Sequence, residues 1–234
     1  MLLDVLWPDT HPDIANNRLK VAMHHLRQTF GRIAGDGHPD DIIIFRDGCY
    51  LFNPRNKIWS DVEAFEHAWQ VGRQLEVAGK LSQAIVYYQQ AEALYQGDFL
   101  EQDVFEEWTL VRREELRDIY LTIVDKLSHY WFDTGDVTAA IEGWKKIIAR
   151  DAWREDVYRQ LMICFNRIGQ RGRALQCYET CRHALRQQLG VEPEAETVAL
   201  YNRLCDGPDR WPSSPAARDS RGVMENLNAR LTAT

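Results

Sequence analysis

Long apolar runs are missing from these 234 residues. None approaches the roughly 20 consecutive apolar residues of a membrane-spanning helix, so no membrane partner is expected. The opening Met1-Leu2-Leu3-Asp4 carries no basic residue and does not read as a secretory signal. Cysteine is sparse: Cys49, Cys164, Cys177, Cys181 and Cys205 form no Cys-x-x-Cys pair. An odd count without secretory context excludes a disulfide framework and reads as reduced, buried thiols in a cytoplasmic protein. Cys177 and Cys181 lie four apart and read as core thiols, with too few other ligands nearby for a metal.

Catalytic signatures are missing as well. Gly79-Lys80-Leu81-Ser82 lacks the upstream glycine of a phosphate-binding loop, and no Gly-x-Ser-x-Gly nucleophile turn occurs. Glu114-Glu115 and Glu106-Glu107 are adjacent on expected helices, so each pair faces two directions and reads as solvated charge. No enzyme activity, metal or cofactor is expected.

Negative charge is missing from one stretch in particular. The chain has a net charge of -7, which by itself does not suggest a nucleic-acid partner. Residues 1–60 balance seven basic against seven acidic side chains, whereas residues 61–234 hold 21 basic and 28 acidic ones. Between residues 14 and 32 there are four basic residues (Arg18, Lys20, Arg27, Arg32) and no acid, a local electrostatic footprint. The same stretch has helical periodicity. Ala15, Leu19, Ala22, Met23, Leu26 and Phe30 form an apolar stripe, with Asn17, Lys20, Val21, His24 and Gln28 opposite. The expected helix covers 14–30, capped by Asp13 and ended by Gly31. A polar loop at 34–41 follows, then a hairpin over 42–52 with Asp47-Gly48 at its turn. An acid-free helix followed by a short hairpin is how a winged helix meets DNA.

From Asp61 to Leu204 the pattern is nearly all helical, and it repeats. Gly135 and Gly169 are 34 residues apart, as are Ala140 and Ala174, and Trp144 and Tyr178. Gly79, Ala84 and Tyr88 keep the internal spacing. This is the period of a tetratricopeptide helix pair. Glycine ends the first helix, alanine permits close approach, and the aromatic fills the groove between pairs. Helices are expected at 62–78, 81–95, 104–133, 137–150, 155–168 and 171–189. A closing helix at 195–205 would cover the last open face through Val198, Tyr201 and Leu204. A longer insertion, about Gln96 to Glu107, separates the first two pairs. The other aromatics of the region (Trp69, Trp108, Tyr130, Trp131, Trp153) could line a groove or pack the repeats; Trp131 and Trp153 fit the stripe least and are the expected exposed pair. Three of the eight prolines, Pro208, Pro212 and Pro215, then mark a linker or tail, in which Met224, Leu227 and Leu231 could form a short amphipathic turn.

Gly97-Asp98-Phe99-Leu100, Trp108, Arg112-Arg113-Glu114-Glu115-Leu116, Gly135-Asp136 and Leu189-Gly190-Val191-Glu192-Pro193 follow in order. Over about Ser60 to Leu204 the chain resembles the bacterial transcriptional activator domain of the streptomycete-type antibiotic regulatory proteins, the last segment being the most specific. The resemblance continues upstream through Leu6-Trp7-Pro8-Asp9, Leu26-Arg27 and the Asp47-to-Leu51 wing of a response-regulator-type winged helix. Cys49 stands where that family usually has glycine. The family's sheet and first full helix have no counterpart before Leu6-Trp7, which implies an N-terminally truncated winged helix.

The expected architecture is therefore mainly α. A partial winged helix-turn-helix (1–57) precedes a tetratricopeptide-like α-solenoid (58–205), followed by a linker or tail (206–234). Asn17, Lys20, His24 and Gln28 are the candidate base readers: Asn and Gln pair bidentately with adenine, and Lys reaches guanine or phosphate. Arg18, Arg27 and Arg32 flank them as phosphate contacts, and Arg46 on the wing could enter a minor groove. The alternative for that face is solvated helix surface. His24-His25 is no metal pair, since neighbours on a helix diverge by about 100°. The resemblance implies a transcriptional activator that binds promoter repeats in double-stranded DNA, as a homodimer in contact with RNA polymerase. The alternative is a repeat module for a protein partner or a ligand that no longer binds DNA.

Overall fold

The structure, a computed structural model, describes residues 2–34, 42–55, 58–102 and 107–206. It is mainly helical and falls into two compact units. The first takes residues up to Ala64 with the segment Leu100–Arg112; the second takes Phe65–Phe99 and the residues from Arg113 on.

The first unit contains α1 (Leu2–Leu6), α2 (Pro12–Ala34) and a hairpin of β1 (Ile43–Arg46) and β2 (Cys49–Phe52). The strands pair antiparallel, Ile43 with Phe52 and Arg46 with Cys49. Asp47 at φ 51° and Gly48 at φ 80° make the two-residue turn. Two positive φ angles give the turn the twist of the strands it joins, which is why Asp-Gly is favoured there. With Gly48 supplying that freedom, Cys49 sits as the first residue of β2.

Helix α2 is longer than its periodic stripe. Pro12 occupies its first position, where a missing N–H costs nothing, and the His11 carbonyl accepts from the Ile14 and Ala15 amides. Asp13 is thus inside the first turn rather than the cap, where its charge still favours the helix start. Gly31 does not end the helix, which runs on to Ala34; glycine inside a helix costs only about 1 kcal/mol relative to alanine. Ala15 and Leu19 are buried, Ala22, Met23 and Phe30 half-buried, and Leu26 exposed.

The second unit is built from α3 (Asp61–Val77), α4 (Leu81–Leu94), α5 (Glu107–Thr134), α6 (Val137–Arg150), α7 (Glu155–Arg167), α8 (Arg171–Gln188) and α9 (Ala195–Cys205). The opening residues of α3 and α5 fall in the first unit. Every expected helix is present within a few residues; the start expected for α5 at 104 lies outside the described residues, as do the residues from 207 on. The repeat chemistry is visible directly. Gly79, Gly135 and Gly169 have φ of 72°, 94° and 74°, the left-handed geometry that closes a helix tightly. Ala84, Ala140 and Ala174 are fully buried, as are Tyr88 and Trp144, and Tyr178 nearly so. Each of the first two aromatics also donates to a carboxylate on the preceding helix: Tyr88 Oη to Glu76 at 2.6 Å and Trp144 Nε1 to Asp125 at 3.0 Å. Tyr178 stacks on Tyr201 with ring centroids 4.1 Å apart.

The closing helix buries Thr197, Leu200 and Leu204, leaving Val198 and Tyr201 half-buried, so its inward face is turned from the expected one. Two acceptor bonds to Glu155 on α7 set that turn: the Glu194 amide at 2.9 Å and the Thr197 hydroxyl at 2.8 Å. Arg159 then donates to Glu194 and Thr197 at 3.0 and 2.9 Å. Among the thiols, Cys164 and Cys181 are buried and Cys177 partly so, but Cys49 and Cys205 are exposed, contrary to the expected all-buried set. Among the described residues no helix is long and apolar enough to cross a membrane.

Candidate nucleic-acid interface

Steps of three and four along α2 put Asn17, Lys20, Val21, His24 and Gln28 on one side, and the structure leaves all five exposed. Val21, at 56% exposure, is an apolar residue in the middle of a polar face. Arg18 and Arg32 are exposed on its flanks. The helix has its only acid, Asp13, in the first turn, near His11 at 3.7 Å. Beyond it the face presents no acid: amides, an imidazole, a lysine and Val21.

Two pairs of side chains order this face. Gln28 Nε2 and His24 Nε2 are 3.0 Å apart, one helical turn from each other. Held together, the imidazole and amide restrict each other's orientation. Arg18 reaches back 3.3 Å to the Thr10 hydroxyl in the turn before the helix. His24 and His25 diverge, their rings at 60° with centroids 5.9 Å apart, so they do not converge on one point.

Arg27 is placed differently from the other candidates. It is half-buried, donates from Nε to the Ile43 carbonyl at 2.8 Å, and sets its guanidinium 5.9 Å from the centre of the Tyr50 ring. One turn on, Phe30 meets Phe52 edge to face at 6.0 Å. The hairpin therefore rests on the C-terminal half of α2. Arg46 lies at its far end, exposed and paired with Cys49 across the turn. Phe45, 61% exposed, leans on Tyr50 at 4.9 Å. Sequence reasoning missed the Arg27 contact because a basic residue late in a helix carries no mark of its acceptor. Its place at the edge of the polar face, one turn from Met23 of the apolar stripe, was the available signal.

Elsewhere the other candidates separate. Burial pushes the Cys177 thiol up to about 11 and Cys181 to about 12, which keeps both protonated at neutral pH. Among the described residues no three His, Cys, Asp or Glu side chains are grouped to hold a metal. Glu114 and Glu115 are exposed on α5, while Glu106 and the Glu107 side chain lie outside the described residues. Trp153 is 47% exposed, but Trp131 is half-buried, so the expected exposed pair is a single residue.

The model of a known protein family, the bacterial transcriptional activator domain, matches residues 60–205. The regulatory protein DnrI of Streptomyces peucetius is 29% identical over 229 residues, covering 92% of this chain and 82% of its own. The transcriptional regulatory protein MoaR1 of Mycobacterium tuberculosis is 22% identical over 203 residues, 87% of this chain and 65% of its own. Among solved structures, Mycobacterium tuberculosis EmbR in complex with a low affinity phosphopeptide superposes with a TM-score of 0.67 at 19% identity, over 98% of this chain and 60% of EmbR. The match to EmbR extends the shared fold through the N-terminal unit. The chain spans less than two thirds of MoaR1 and of EmbR.

Proposed function

The chain belongs to the bacterial transcriptional activator domain family of transcriptional regulators, and from that premise we propose that its N-terminal unit is the part that docks on double-stranded DNA. Helix α2 lies in the major groove with Asn17, Lys20, His24 and Gln28 toward the base edges. Arg18 and Arg32 meet phosphates on either side, and Arg46 follows the flanking backbone or minor groove. The observation that carries this reading is the exposed, acid-free face of α2, with a hairpin seated against the same helix.

A single small module binds weakly, so useful affinity calls for two copies on repeated half-sites. In this reading the repeat unit brings the two copies together and meets the transcription machinery. The excess of acid over residues 61–234 supports a protein-facing role, since that surface would repel DNA.

Mobility shift on the full chain, using a duplex selected from a random pool, tests the interface. Lys20→Ala is expected to weaken binding about fivefold to tenfold and flatten its salt dependence by about one counterion. His24→Ala is expected to relax base preference as well as affinity, through Gln28. Unchanged binding in both variants would remove α2 as the reading element. A chain that binds no duplex even at low salt would favour the second reading, an interaction module, which the acidic repeat unit also suits.

A further inference from the structure

Arg27 is the one candidate of the eight that is not exposed, and two of its contacts are with the hairpin. It engages both strands: β1 through the Ile43 carbonyl and β2 through the Tyr50 ring. Phe30, one turn later, adds Phe52, which is the register partner of Ile43. The Arg27 bond to the Ile43 carbonyl and the Phe30 ring thus hold the base of the hairpin, at the rung where Ile43 is buried, while Tyr50 lies two rungs on, opposite Phe45. Arg46 lies three residues beyond that rung, about 10 Å along the strand, beside the Asp47-Gly48 turn. A hairpin held at its base acts as a lever. A tilt of about 20° there would carry the tip roughly 3–4 Å, more than the tolerance of a hydrogen bond.

We propose that Arg27 is a positioning residue of the wing: it clamps the hairpin to α2, and its contribution to DNA binding passes through Arg46. The inference rests on the reading of α2 and the wing as the DNA interface, and it reassigns the role of one residue in it. A guanidinium suits the task. Its Nε–H is fixed close to the helix, so one edge holds a carbonyl while the planar face covers an aromatic ring. A lysine ammonium sits one atom further out on a flexible stem. It keeps the charge a phosphate would want and loses the fork the clamp needs.

The test has one arm without DNA and one with it. In the free full chain, backbone 15N order parameters of residues 46–50 are expected to fall in Arg27→Ala and in Arg27→Lys, with those of residues 14–24 unchanged. In binding to the selected duplex, Arg27→Ala and Arg46→Ala are each expected to lose about fivefold to tenfold, and the double variant no more than about twofold beyond either single one. Arg27→Lys is expected to bind as poorly as Arg27→Ala. Independent losses that multiply in the double variant, recovery of affinity in Arg27→Lys, or an unchanged wing in the free chain would each overturn the proposal. Lys20→Ala separates the two levels. If it and His24→Ala both leave binding intact, the interface reading fails and this inference falls with it. If it weakens binding while Arg27 and Arg46 act independently, only this inference fails.

Discussion

The two units put the same residue types to opposite uses. In the repeat unit, polar side chains on the packed faces face inward to partners: Glu76 takes bonds from Tyr88 and Lys126, and Asp125 takes the Trp144 indole. In the N-terminal unit, the polar residues of α2 face outward, and an apolar one, Val21, is exposed among them. A periodic sequence records the first use, because each repeat must bury its own face on its neighbour. The second use leaves no such repeat behind, since an exposed face packs on no neighbouring repeat. The lesson is that candidate recognition residues are found by elimination, as the polar positions that packing does not consume. Arg27 shows the limit of elimination: it lies outside the apolar stripe and is nonetheless used by packing.

The sharpest way to break this contrast is Trp144→Ala. The indole is fully buried and its N–H is held by Asp125, so the change is expected to cost about 3–5 kcal/mol. Urea unfolding followed by circular dichroism would measure it; a loss below about 1 kcal/mol would show that the aromatic is not the keystone of its repeat. Next comes Gly143→Ala. A Cβ there would collide with the Ser128 hydroxyl and crowd Ser128 Cβ at 3.3 Å, so the expected cost is about 1–3 kcal/mol of overpacking. Alanine at a mid-helix glycine would otherwise stabilise, and a rise in the urea midpoint would refute the close approach of α5 and α6.

A pH series comes third. Burial works against the Glu76 carboxylate, but the hydrogen bonds from Lys126 and Tyr88 and the charges of Lys126 and Arg73 outweigh it and hold the carboxyl below its ordinary value. A depressed carboxyl contributes stability above its unfolded value and loses it as pH falls through the folded one. Glu76→Gln is therefore expected to lower the melting temperature at neutral pH and to match the parent in acid. A difference between the two that persists undiminished at low pH would refute the ion pair as its source. The smallest expected effect falls on the other unit. The Lys20→Ala and His24→Ala chains used for DNA binding should unfold within about 0.5 kcal/mol of the parent, because their side chains are exposed. A larger loss in the same urea series would mean that the face is structural.

Much of the repeat unit was legible beforehand. Glycine, alanine and aromatic at fixed offsets located the helix ends, the close contact and the groove filler, since these roles depend on residue size and backbone freedom alone. Asp47-Gly48 fixed the hairpin turn for the same reason. Gly72 and Gly143 were not legible. A Cβ on Gly72 would stand 2.5 Å from the Tyr88 ring, yet a glycine inside a helical pattern reads only as a weak position. The inward face of α9 was misjudged because Leu200 and Leu204 share it with Thr197, a polar residue whose burial needs Glu155, 42 positions away. In the candidate interface, the exposed face of α2 could be read from spacing, while the seat of the hairpin on Arg27 could not.

Sequence alone determined what depends on neighbours within a few residues: helix and turn identity, the 34-residue period, the acid-free stretch, and the polar side of α2. The tertiary structure alone decided which polar groups meet. Glu155 with Thr197, Asp125 with Trp144 and Arg27 with Ile43 join residues 16 to 42 positions apart. A hydrogen bond needs donor and acceptor within a few tenths of an ångström of 3 Å. No local pattern records a distance between groups that the chain brings together only when it folds.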